Sequence, residues 1–305
     1  MNTMLRTELI NKIEGLSEDA DLTIHRCARF RKHPFKALIF YGYVALNRYT
    51  PLLLPIKAET VWKHHLYAYE TSSIGSIYFL GFYDSDVSLF LLKHFNEQGD
   101  LLDVGSNIGY YTSLFTQIVA PSAKITAFEP TPSTYEVLKN NVDNLPQVLT
   151  EKIALSDKTG EMSFFDYGHR HGVFNSSVAQ PIAFLKDKGT EITVKTDTLD
   201  NWCKRTNTKP SLIKLDTEGT EAKILKYGNE TLRTYTPIIL LEVGGGEAWS
   251  KNTSECLDIL TTNGYSFFEL DNIGNLLPHK RQERYSYKNL VCIPKNKLDS
   301  YVPIS

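Results

Sequence analysis

Short apolar runs alternate with amphipathic stretches over most of the chain, the pattern of a parallel sheet whose buried strands are joined by crossover helices. Residues 101–104, 123–128, 148–155, 212–215 and 237–242 read as successive strands, and 266–270 with 289–293 as a closing pair. Helices are predicted to begin after Asp86, Ile108 and Thr131. The last has Pro132 in its opening turn, and Ser133 stands three residues before Glu136, the capping-box spacing. Between Gly160 and Leu199 the expected helix is missing, and residues 162–165 and 191–196 read as strands bracketing a polar loop. The pattern therefore predicts an α/β chain with a mostly parallel seven-stranded sheet, flanking helices and an antiparallel β insertion near the site.

Residues 1–80 have a different texture and are expected to form a mainly helical extension to a catalytic domain at 81–305. Arg26, Arg29, Arg31, Lys32 and Lys36 lead directly into an apolar run over 37–46. That run is about half the length a bilayer span requires. Two readings stay open: a cap helix packed on the domain, or a lid or interfacial helix touching an amphiphilic substrate or a membrane surface.

With 305 residues and 42% hydrophobic content, the chain can bury a full core, so disorder is not the default. A net charge of −2 gives no global pull toward nucleic acid. The four cysteines, Cys27, Cys203, Cys256 and Cys292, lie far apart without a Cys-x-x-Cys pair, which suits reduced thiols in the cytoplasm. The N-terminus lacks the basic-then-apolar layout of a secretory signal, so Asn-x-Ser/Thr triplets at Asn175, Asn229 and Asn252 read as chance.

The chemistry is concentrated where strands end. The first strand runs into Asp103 and then Gly105-Ser106-Asn107-Ile108-Gly109, a turn whose glycines let backbone approach a ligand and whose following helix offers N–H groups to an anion. The second strand ends on Glu129, near the spacing at which an acid reaches ribose hydroxyls. Asn107 replaces the glycine that a pyrophosphate would need. A cofactor with ribose but no pyrophosphate fits better, and S-adenosylmethionine is the obvious one. A nicotinamide-dependent oxidoreductase and a non-catalytic cofactor-binding module remain as alternatives.

Three blocks, Asp103-Val104-Gly105-Ser106-Asn107-Ile108-Gly109, Phe128-Glu129-Pro130 and Ile213-Lys214-Leu215-Asp216-Thr217-Glu218-Gly219-Thr220-Glu221, resemble in order and separation the signatures of FkbM-type S-adenosylmethionine-dependent methyltransferases. The resemblance covers roughly residues 80–295. It implies a class I (Rossmann-like) methyltransferase fold and methyl transfer to oxygen, with a sugar hydroxyl in a glycan or glycolipid as first acceptor and a secondary-metabolite hydroxyl next. Asp103, Gly105, Asn107, Gly109 and Thr112 are then expected around the methionine portion, and Glu129, in its block with Pro130, at the ribose. Topology and resemblance together put Leu155 and Ser156 along the adenine.

Methyl transfer from a sulfonium needs no protonation of the leaving group, so the protein positions, desolvates and removes the hydroxyl proton. Asp216, at the end of the fourth strand, leads the candidates, and Lys214, two residues earlier, shares its face. Glu218 is divided between catalysis and helix-dipole support; Glu221 is assigned to the latter. Glu242 brings another acid to the same sheet edge. His171, in the polar insertion, is the second choice of general base. No metal is expected, since the His169-x-His171 pair has no acidic cluster at metal spacing beside it.

Overall fold

The computed structural model describes residues 3–17, 26–49, 54–69, 72–168, 175, 189–244, 247–286 and 288–301. Three helices open the chain: α1 (Thr3–Ser17), α2 (Arg26–Lys32) and α3 (Pro34–Tyr49). An antiparallel hairpin, β1 (Ile56–Glu59) and β2 (His65–Ala68), and helices α4 (Ser72–Leu80) and α5 (Ser85–His94) follow. The alternating part then runs β3 (Asp100–Val104), α6 (Tyr110–Phe115), β4 (Ile125–Phe128), α7 (Pro132–Val142) and β5 (Val148–Glu151). After β6 (Ala154–Leu155), β7 (Gly160–Asp166) and β8 (Thr190–Asp197) it resumes with α8 (Leu199–Thr206), β9 (Pro210–Leu215), α9 (Glu221–Lys226), α10 (Asn229–Tyr235) and β10 (Ile238–Val243). Helix α11 (Glu247–Thr262), strands β11 (Tyr265–Leu270), β12 (Leu276–Pro278) and β13 (Lys288–Pro294), and helix α12 (Leu298–Tyr301) close it.

The main sheet has the order β12-β11-β13-β10-β9-β3-β4-β5. Strands β5, β4, β3, β9 and β10 are parallel, and β13 enters antiparallel between β10 and β11. The order reverses at β3, which lies between β4 and β9, so a crevice opens beyond the carboxyl ends of these strands. This is the expected α/β arrangement with a closing antiparallel pair. Strand β12, three residues long, adds an eighth member at the edge, too short for a periodic signal in the sequence.

Strand β9 is buried at all six positions, as its apolar run requires. Helix α8 covers the sheet through Leu199, Trp202 and Cys203, and the Trp202 ring stands edge-on to Phe128 at 4.9 Å. Its start is fixed by Thr198, whose side chain accepts from the Asn201 N–H, and its end by Asn207 in the left-handed region.

Two local expectations change. Residues 148–155 are not one strand: β5 ends at Glu151, and Ala154–Leu155 turns away to pair parallel with β8 in a separate sheet of order β6-β8-β7. The apolar pair leaves the edge of the main sheet because Ala154 packs with Phe164 and Val194 of the insertion. The insertion itself is antiparallel, with Gly160↔Thr196 through Asp166↔Thr190 in register. Ser133 does not cap α7 either: the N-cap is Thr131, and the Ser133 hydroxyl donates to Asp166 at 3.0 Å, tying α7 to β7.

Leu9 and Ile13 of α1 are buried, and Arg6 donates to the carbonyls of Leu91, Leu92 and Phe95, capping the end of α5. Asn141 of α7 donates to the carbonyls of Tyr67 in β2 and Ile108 at 2.9 and 2.8 Å, fastening the hairpin to the glycine turn. Among the described residues, no helix is long and apolar enough to cross a membrane.

Candidate active site

The glycines of the first block serve the chain's own packing. Gly105 has φ +83°, and a Cβ there would lie 1.7 Å from the Asp216 carbonyl oxygen, while the Asp216 N–H donates to Val104 at 3.0 Å. A Cβ on Gly109 would meet Leu138 and Val142 of α7 at 2.9 Å. The turn's amides also point inward: Gly105 and Ser106 both donate to the Phe128 carbonyl, and the Asn107 N–H bonds the Glu129 carboxylate. These three N–H groups are therefore engaged within the chain; the N–H groups expected to meet an anion are those of the helix that follows.

A cavity of about 500 Å³, within the range of small-molecule sites, opens above this turn. Gly105, Asn107, Glu129, Pro130 and Leu155 line it, as do Lys214, Asp216, Glu218 and Glu242. The strand order separates the two groups: Glu129 follows β4 on one side of β3, and the others belong to β9, β10 and the loop after β9 on the other.

Asp103, Gly109, Thr112 and Ser156 do not line the cavity. Asp103 is fully buried, and its Oδ2 accepts from Thr112 at 2.5 Å. Ser156 turns its N–H to the Asp197 carbonyl and its hydroxyl to Asp157. His171 lies outside the described residues, whereas Asn175 is buried against α7, donating to Thr134, rather than exposed.

On the β4 side, Phe128, Ile153, Ala154, Leu155 and Phe164 form an apolar slot ending at Glu129. Burial pushes the Glu129 carboxyl up to about 7, although the N–H groups of Thr131 and Asn107 bond it.

On the β9 side, one ammonium sits among several carboxylates. Lys214 pairs in register with Asp103 of β3, donates to Asp216 Oδ2 at 2.7 Å, and stands 4.6 Å from the centre of the Tyr111 ring. Burial alone would depress Lys214, but Asp216, Asp103 and Glu242 hold it above its ordinary value. Burial likewise opposes the charge of Asp216, yet Lys214 keeps it below the usual carboxylate range. Glu242 goes the other way: burial and the Asp216 charge push it well up, so it carries the proton of the hydrogen bond between them.

Donor atoms of Asp216, Glu218 and Glu242 lie within 4.8 Å of one another, a cluster drawn from two strand ends that sequence spacing does not reveal. Glu218 holds φ +57°, a conformation a non-glycine residue adopts at some cost. Glu221 is structural, accepting from the Thr217 N–H and hydroxyl, the Gly219 N–H and the Asn252 amide.

Sequence reading missed the aromatic wall of Tyr83, Tyr110 and Tyr111, together with Asp84 behind it. The Tyr111 hydroxyl donates to Asp84 at 2.7 Å, and burial pushes Asp84 up to about 6. Paired tyrosines directly after Gly109 were the available signal; Asp84 gave none, because its partners are distant in sequence.

Residues 103–267 match the family profile described as the methyltransferase FkbM domain. The chain belongs to the FkbM methyltransferase family. The matched profile is that of a methyltransferase domain. This family member is 30% identical over 165 residues to the hexuronic acid methyltransferase AglP of Haloferax volcanii, an alignment covering 53% of this chain and 63% of that one. To methyltransferase 1 of Beauveria bassiana it is 26% identical over 163 residues, covering 43% of this chain and 59% of the relative. The chain thus spans about six-tenths of each curated relative. The crystal structure of an FkbM methyltransferase from Methylobacillus flagellatus is 12% identical, with a TM-score of 0.44 and coverage of 73% of this chain and 53% of that one.

The residues present fit the family's cofactor. The apolar slot suits a planar base, and the buried Glu129 carboxylate, bonded only by backbone and hydroxyl donors among the described residues, is an acceptor for hydroxyl donors.

Proposed function

We propose that this family member transfers a methyl group to a hydroxyl of a sugar in a glycan or glycolipid. The observation that carries the reading is that one cavity joins an acceptor for ribose hydroxyls, Glu129, to a carboxylate pair of divided protonation, Asp216 and Glu242. The hexuronic acid methyltransferase relative supports a sugar over a secondary metabolite. Family membership sets the nicotinamide alternative aside.

In this reading Glu129 holds the ribose, Leu155 and the slot around it take the base, and Gly105, Asn107 and Pro130 close the turn beneath. Bound S-adenosylmethionine supplies an electrophilic methyl group. Asp216 then accepts the acceptor hydroxyl's proton: an oxygen becomes acidic as its new bond to carbon forms, so a carboxylate of low basicity suffices late in the reaction. Lys214 fixes the direction of Asp216 and keeps it ionised. Glu242, protonated, donates to Asp216, and its other oxygen accepts from a sugar hydroxyl and orients it; Glu218 completes the acceptor side. Asp103 and Thr112 support Lys214 from beneath.

Residues 1–80 form the extension and 81–305 the catalytic domain, working in the cytoplasm at the inner membrane surface. Buried Cys203, Cys256 and Cys292, all free thiols, agree with a reducing compartment. The test is calorimetry with S-adenosylmethionine, followed by methyl transfer to neutral and uronic sugars, read as S-adenosylhomocysteine release and a mass gain of one methyl. Cofactor binding without transfer to any sugar overturns the acceptor assignment, and tight nicotinamide binding instead overturns the whole.

A further inference from the structure

Helix α3 carries two apolar faces. Ala37, Phe40 and Asn47 are buried, and the Phe40 ring packs on Tyr78 and Phe79 of α4. The opposite face is also apolar and faces water: Phe35 is 82% exposed, Leu38 65%, Ile39 64% and Leu46 38%, with Gly42 and Ala45 exposed between them. At 100° per residue these six positions fall within an arc of about 120°. A single exposed leucine needs no explanation; a contiguous stripe along a 16-residue helix does.

A basic cavity borders the stripe. Lys36 of α3, Lys12 of α1 and Lys57 of β1 line a pocket of about 350 Å³ floored by Tyr78, and the Lys36 ammonium stands 5.2 Å from the centre of that ring. The pocket's carboxylate, Glu59, is already held by Lys63 at 2.7 Å and His65 at 3.2 Å. The three lysines therefore present a net positive surface of headgroup size.

We infer that α3 docks on an anionic phospholipid leaflet, its apolar stripe entering the acyl boundary while Lys12, Lys36 and Lys57 take a lipid phosphate. The charge decides between occupants. A second copy of this chain would bring an equally basic pocket to the contact, whereas an anionic bilayer offers both the apolar layer and the counter-charge. The inference rests on the proposed work at a membrane surface but not on the cofactor assignment.

The full chain is to be floated with vesicles of phosphatidylcholine alone, and of two parts phosphatidylcholine to one part phosphatidylglycerol. It should bind the second and not the first, and leave it in high salt. Phe35→Ser/Leu38→Ser/Ile39→Ser should weaken binding at least about ten-fold, and Lys12→Gln/Lys36→Gln/Lys57→Gln about five-fold per charge, with melting temperature and S-adenosylmethionine affinity unchanged. Equal binding to both vesicles, binding to neither, or binding untouched by either triple variant overturns the inference. So does inorganic phosphate saturating the lysine pocket of a chain that ignores vesicles, or self-association that the serine variant abolishes. Vesicle binding by a chain that binds no S-adenosylmethionine leaves the docking surface standing and sinks the methyltransferase reading alone.

Discussion

The Lys214 ammonium lies 2.7 Å from Asp216 Oδ2, two residues along the same chain, with both side chains on one face of the sheet. The ammonium also faces Asp103 and Glu242 and favours the ionised form of all three carboxyl groups, although burial outweighs it at Asp103 and Glu242. Lys214→Met should destabilise the protein by about 3–5 kcal/mol, the cost of stripping a buried pair of one partner. The acidic limb of its pH–rate profile should move up as Asp216 loses its counter-charge. Urea unfolding and rate profiles test both; a variant of wild-type stability with an unmoved limb contradicts the assignment.

Asp216→Asn and Glu218→Gln should lower turnover by roughly 100- to 10,000-fold with cofactor affinity largely kept, the range for a positioned base. Glu242→Gln should be milder, since an amide still donates a hydrogen bond where the protonated acid did. Turnover numbers and calorimetry decide, and a Glu242→Gln loss equal to that of Asp216→Asn reverses the roles of the pair.

Glu129 makes the stability of the ligand-free protein fall as pH rises. Its folded value of about 7 exceeds the ordinary 4.5, so between these limits the folded chain keeps a proton that the unfolded chain releases. The loss is on the order of 3 kcal/mol across that window. It should be absent from Glu129→Gln, and so appear in full as the difference between wild type and that variant. Cofactor affinity should show the reverse trend, strengthening up to neutrality, because the ionised carboxylate is the better acceptor for ribose hydroxyls. Denaturant titrations and calorimetry at several pH values check the two signs independently.

The donor atoms of Asp216, Glu218 and Glu242 are close enough to share a divalent ion, but Asp216 is already engaged by Lys214. Turnover should therefore survive a chelator, and added magnesium should not raise it. Loss of activity on chelation with recovery on magnesium would replace the general-base mechanism by a metal-assisted one.

Gly105→Ala should be among the most damaging small substitutions in the chain, costing more than about 3 kcal/mol, because φ is positive and the new carbon would overlap the Asp216 carbonyl. Gly15→Ala, with nothing within 4 Å in α1, should instead be neutral or gain up to about 1 kcal/mol. Thermal unfolding of the two variants makes the comparison.

The parallel sheet, the antiparallel insertion and the three strand-end blocks were legible because each is written locally, as an apolar run followed by turn chemistry. The departure of β6 was not, since Ala154 and Leu155 read as a continuation of 148–151 until their partners Phe164 and Val194 are known. The glycine turn was located correctly, but one reason for it was not legible: Gly105 is also required by a carbonyl more than a hundred positions away. The Asp84–Tyr111 contact has the same origin, closure across 27 residues that no periodicity announces.

Contact between the Gly105 backbone and Asp216 also limits how this scaffold can diversify. The turn proposed to lie beneath the cofactor and the acid proposed to meet the acceptor are one mechanical unit, so neither can be re-aimed without dragging the other. New acceptor preferences must therefore be acquired elsewhere on the cavity lining, through residues outside the apolar slot such as Ile77 and Tyr83. Replacing Ile77 and Tyr83 by the residues of another family member should shift which acceptor is methylated while leaving the affinity for the methyl donor unchanged.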